Sequence, residues 1–95
     1  MANGPHLILF YDYVPDILDR RGPHREEHLA RIGEQVDAGG IVMAGALGDP
    51  PTGAAIVFAG AAAGDVEAFA DADPYVVNGL VTGRRVVPWT VVASA

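Results

Sequence analysis

The run His6–Tyr13, HLILFYDY, constrains the fold more than any other stretch of the chain. It is apolar, dense in Ile, Phe and Tyr, and of strand length, and Pro15 follows to end it. Leu7, Leu9 and Tyr11 point one way along an extended chain, and Ile8, Phe10 and Asp12 the other. Both faces are largely apolar, which is the pattern of a central strand covered on both sides. The expected covers are helices on one face and a partner subunit on the other.

The later segments fit around such a strand. Residues 14–22 read as a connection. The spacing predicts a helix over 23–38: Pro23 suits its first position, and Glu26 and Glu27 suit its first turn. Leu29, Ile32 and Val36 should form its buried stripe, and Gly39-Gly40 should stop it. Ile41–Leu47 and Ala54–Ala59 read as strands, and the turn-rich Gly48–Gly53 between them predicts a hairpin. The stretch 59–64, AGAAAG, reads as a loop, with Asp65 as the N-cap of a short helix carrying Val66, Phe69 and Ala70. Asp73-Pro74 opens a further helical turn that Gly79 closes. The last strand, Gly83–Val92, contains Pro88, which fits an edge or a bulge. The order βαββαβ closes most simply as an α+β, ferredoxin-like domain spanning 1–95. It would have a four-stranded antiparallel sheet with both helices on one face. The other face would be apolar, so a homodimer that stacks two sheets is expected.

Composition removes several functions. In 95 residues there are 12 acidic and 6 basic side chains, and a net charge of −6 argues against a nucleic-acid footprint. No Lys is present for Schiff-base chemistry, and no Cys for thiol catalysis, disulfides or thiolate metal sites. No apolar run is long enough for a membrane helix. Asn3 to His6 carry no basic lead, so no signal peptide is expected and a cytoplasmic location is.

The remaining candidates each have a plain structural role beside a functional one. His24 and His28, four apart on one helix face, could chelate a metal, yet Arg25 stands where the zinc-protease pattern needs Glu. No metal site and no cofactor are expected. His28 borders the apolar stripe, where helix meets sheet, and suits either a proton carrier or a satisfied boundary residue. Asp73 is a natural N-cap with acceptor capacity to spare, and Asp71 competes with it. Arg25 could bind an anionic ligand together with N–H groups at the helix start. Arg20 and Arg21 read rather as solvated charge, Arg84 and Arg85 as surface, and Tyr75 and Trp89 as core or interface.

Several motifs carry a resemblance. Arg25-Glu-Glu-His28-Leu29, GIVMAG at 40–45 and Gly53–Phe58 precede a tail of Asp71-Ala-Asp73-Pro74-Tyr75, Asn78-Gly79-Leu80 and Val87-Pro88-Trp89. In order and spacing the chain resembles the YCII-related family of dimeric α+β barrel proteins. The resemblance implies that fold, a sheet-to-sheet dimer, and a His–Asp pair between helix and sheet, carried over as His28 and Asp73. Some relatives resemble lyases or dehalogenating enzymes of hydroxylated rings, and related barrels include isomerases. The expectation is a cofactor-independent enzyme that transfers protons on a small cyclic or phenolic substrate, with Arg25 on the substrate. The alternatives are a non-catalytic small-molecule binder and a structural dimer module.

Overall fold

The computed structural model describes residues 3–95. Met1 and Ala2, counted in the expected domain, lie outside the described residues. The elements run β1 (Gly4–Tyr13), α1 (Ile17–Arg20), α2 (Gly22–Asp37), β2 (Ile41–Leu47), β3 (Gly53–Ala59), α3 (Ala63–Asp71), α4 (Pro74–Val77) and β4 (Val81–Val91). The strands form one sheet in the order β2-β3-β1-β4, with every neighbour antiparallel. This is the expected α+β, ferredoxin-like arrangement, with the expected helical turn α4 after α3 and one further short helix, α1, before α2.

β1 is central, as its two apolar faces require. Leu9 lies opposite Ile56 of β3 and Val86 of β4. On that side Leu9, Tyr11, Ile41, Ile56 and Phe58 pack with Val66, Phe69 and Ala70 of α3 into the main core. At about 25 cal/mol per Å² of apolar surface removed from water, this burial is the main drive for folding. The Phe58 and Phe69 rings meet edge to face at 5.4 Å. Arg31 of α2 lies over the Phe69 ring and donates to the Phe69 carbonyl, tying the two long helices together. A smaller cluster of Ile17, Tyr75 and Leu80 anchors α1 and α4. Pro88, opposite Leu7, sits on the edge strand β4.

The hairpin, the Val66–Phe69–Ala70 stripe and the Pro74 turn stand where the sequence places them. Gly39, at φ 83°, ends α2 in a conformation that L side chains rarely adopt. Other expectations need correcting. The connection 14–22 holds the helix α1, which is too short for any periodicity to reveal. α2 starts at Gly22, so Glu26 and Glu27 fall in its second turn. Asp65 is not the N-cap of α3. Ala62 holds that position in extended backbone, and the Asp65 carboxylate reaches back to accept from its N–H at 3.1 Å. Of the Leu29–Ile32–Val36 stripe of α2 only Ile32 packs against the core; Leu29 and Val36 remain 45% and 46% exposed. Opposite this part of α2, β2 offers only the small residues Ala44, Gly45 and Ala46, so a gap stays open between helix and sheet.

Candidate active site

That gap is a pocket of about 210 Å³. Leu29, Ile32, Ala44, Gly45, Ala46, Ala54 and Ile56 give it apolar walls. Its polar lining is Tyr13, Arg21, Arg25, His28 and Tyr75.

His28 projects from α2 beneath this lining and is only 5% exposed. Its Nδ1 lies 2.8 Å from Oδ1 of Asp73, itself 1% exposed and 45 residues further along the chain. Local sequence explains how Asp73 comes to be there. α3 ends at Asp71, and Pro74 then starts α4 with its φ already suited to a helix. Asp73 is left at the cap in extended backbone, where Oδ1 also accepts from the Tyr75 N–H at 3.0 Å. Its second oxygen accepts from the Tyr11 hydroxyl at 2.8 Å. The two roles weighed for Asp73 therefore coexist in one carboxylate: it caps α4 and it holds the His28 ring.

Burial by itself would raise the Asp73 pKa, since desolvation penalises the charged form. Hydrogen bonds from His28, the Tyr75 amide and Tyr11, together with the His28 charge, outweigh it and hold the carboxyl below its usual range. An ionised carboxylate only accepts, so Nδ1 of His28 carries the hydrogen. The lone pair of a neutral ring then sits on Nε2. Among the described residues Nε2 has no partner, and no fully buried side-chain nitrogen or oxygen lacks one. Nε2 thus keeps accessible surface, and His28 lines the pocket. Tyr75 stacks on the His28 ring at 3.7 Å and 6°, and Tyr13 meets Tyr75 edge-on at 5.9 Å.

The phenols around the dyad are held neutral. Desolvation, reinforced by the neighbouring Asp73 charge, raises the Tyr11 pKa far above its ordinary value. Tyr13 is pushed up to about 12, by desolvation first and then by Tyr75 and Asp73. Desolvation also raises Tyr75, although Arg21 and Arg25 pull it back toward the ordinary value.

Of the residues singled out from sequence, His28, Asp73 and Arg25 come together at this one site. His24 is not part of the pocket lining. Asp71 points away to an ion pair with Arg84, and Arg20 lies near Asp16. Arg21 corrects its reading as solvated charge, because it lines the pocket. The signal was present: Arg21, Arg25, His28, Leu29 and Ile32 share helical spacing. Tyr75 is buried as expected, yet it also lines the pocket, as does Tyr13.

Comparison with known proteins places this geometry. No curated protein sequence matches the chain. Among solved structures, 5-chloro-2-hydroxyhydroquinone dehydrochlorinase (TftG) from Burkholderia phenoliruptrix AC1100, in complex with 2,5-dihydroxybenzoquinone, superposes with a TM-score of 0.75 at 20% identity. The match covers 90% of this chain and 93% of that one, and establishes a shared fold. The model of the YCII-related domain matches residues 6–90, from within the central strand β1 to within the edge strand β4, and so takes in every residue that lines the pocket. The chain belongs to the YCII-related family.

Proposed function

We propose that the chain is a cofactor-independent enzyme that moves a proton on a small cyclic or phenolic substrate, by elimination of halide or by isomerisation. His28 acts as base and then acid, and Asp73 is the carboxylate that fixes its tautomer and supports the imidazolium. The observation that carries this reading is the division of the His28 ring. One nitrogen is engaged by a buried carboxylate, and the other is open to a pocket. That is the division of labour in a catalytic triad, without its nucleophile.

Pocket size agrees with the substrate class. An apolar cavity of roughly 150 Å³ holds benzene, so a volume of about 210 Å³ suits one substituted ring. The dehydrochlorinase that shares the fold is named for a chlorinated, hydroxylated single ring. In an elimination, Nε2 would take a hydroxyl or carbon proton, the electron pair left behind would expel halide, and the proton would pass from His28 to solvent. In an isomerisation the same electron pair would be reprotonated elsewhere on the ring. Positioned proton transfer of this kind contributes about 100- to 10,000-fold in rate.

The test is turnover of chlorinated hydroxyhydroquinones and enol lactones, followed by chloride release and ring absorbance. His28→Gln is expected to lose about 100- to 10,000-fold in kcat, with ligand binding and circular dichroism close to wild type, although breaking the buried pair lowers its melting temperature. Full activity in that variant would sink the mechanism. Binding of these compounds without turnover in the wild type would favour a non-catalytic binder.

A further inference from the structure

Six arginines are the only basic side chains apart from histidine in a chain of net charge −6. Four of them have partners: Arg20 lies near Asp16, Arg84 pairs with Glu67 and Asp71, Arg31 covers Phe69, and Arg85 covers Phe10. Arg21 and Arg25 make no ion pair with any carboxylate among the described residues, and both stand at the one pocket that holds His28. They act on the same two phenols, since each draws down the pKa of both Tyr13 and Tyr75. Those phenols stay protonated and so remain donors. No carboxylate lines the pocket. Its polar lining is therefore two guanidinium groups, two hydroxyls and His28, in a protein that is otherwise acidic. Arg25 has the Tyr75 hydroxyl beside it, but neither cation has a carboxylate to balance it beside these apolar walls, which leaves an unmet need for negative charge.

The opposite wall fixes shape. Ala44, Gly45 and Ala46 give a stretch of strand with almost no side-chain bulk, against which a flat ring can lie. Arg25 stands three residues before His28 on the same face of α2, a rise of about 4.5 Å. A group held at Arg25 thus leaves the far side of a single ring near Nε2.

We propose that the pocket takes its ligand as an anion: a single planar ring whose carboxylate or phenolate is received at the mouth by Arg21, Arg25, Tyr13 and Tyr75, with the ring lying along β2. This deepens the functional reading above and rests on the same pocket. It concerns recognition, however, and needs no turnover.

The experiment uses a near-isosteric pair of probes, 4-hydroxybenzoate and 4-hydroxybenzamide, with dissociation constants from amide chemical-shift titration at neutral pH. The wild type should bind the acid about tenfold tighter or more, and this preference should shrink as salt is raised, because the mouth is partly open to solvent. Arg21→Gln and Arg25→Gln should each reduce the preference severalfold, and the double variant should abolish it while still binding the amide. His28→Gln should keep it. Equal affinity for the two probes overturns the proposal, as does a preference that survives in the double variant or no binding of either probe in the millimolar range. If the preference holds but no ring compound is turned over, only the catalytic reading falls. If neutral rings are turned over and no preference exists, only this proposal falls.

Discussion

Asp73 accepts three hydrogen bonds through two oxygens, from His28, the Tyr75 amide and Tyr11. All three favour the charged form, and that has a consequence for stability with a definite sign. The folded-state pKa is depressed, so the unfolded chain takes up the Asp73 proton first as pH falls. The stability contributed by the charge is fully present above the unfolded carboxylate pKa of about 3.9 and is lost as pH falls below it, through the folded value. Asp73→Asn separates this from capping, because Asn caps helices about as well as Asp. The variant should lose about 3 kcal/mol at neutral pH by leaving the buried pair half made. The gap to wild type should narrow as the pH is taken below about 4. Urea unfolding across pH 3 to 7 measures both. A gap that stays constant over that range would mean that the carboxylate contributes through its cap alone.

Neither member of the dyad could be assigned by local pattern. His28 reads equally well as a boundary residue, Asp73 already has a sufficient role as a cap, and 45 residues separate them. The motif resemblance joined them. The geometry then shows why one carboxylate serves both ends.

At the scale of elements, periodicity in α2 reported a shared face but not what stands opposite it. Leu29 and Ile32 do share a face, and they share it with Arg21, Arg25 and His28. The face looks onto a pocket because β2 presents Ala44, Gly45 and Ala46 there, and only the tertiary fold reveals that pairing. The sheet itself was far more legible. Two apolar faces on β1, a dense turn between β2 and β3, and a proline suited to an edge strand together left one simple topology. One contact inside that sheet bears on the site. A Cβ at Gly53 would stand 2.1 Å from the backbone oxygen of Tyr11, so glycine is what lets β3 lie this close to β1. Backbone cannot swing aside as a flexible side chain can. Gly53→Ala should therefore cost about 1–3 kcal/mol or more and shift the strand that carries Tyr11. Its signature would be a melting temperature lower by several degrees together with changed His28 and Tyr75 resonances. A variant that melts like wild type would show that the strands can part at little cost.

For the molecule as a whole, the sheet face away from the helices poses the remaining question. Ile8 and Phe10 of β1 lie there with their partners Val57 and Ala55 on β3 and Val87 on β4, and His6 meets Trp89 edge-on. All four helices lie on the other side, and Trp89 is left 38% exposed. Arg85 covers the Phe10 ring at one end, but the rest of this face is apolar, and such a face is unfavourable in water and invites association. We propose that a second copy covers it, because stacking two identical sheets buries both faces by one two-fold operation. Val87→Glu places a charge on this face in the outer strand, where it disturbs the core least. Light scattering after size exclusion should give about twice the 9.9 kDa chain mass for wild type and the single chain mass for the variant, with unchanged circular dichroism. A monomeric wild type would refute the dimer. A variant that stays dimeric would move the contact along the same face toward β2, where Met43, opposite Val57, and Leu47 are exposed apolar side chains.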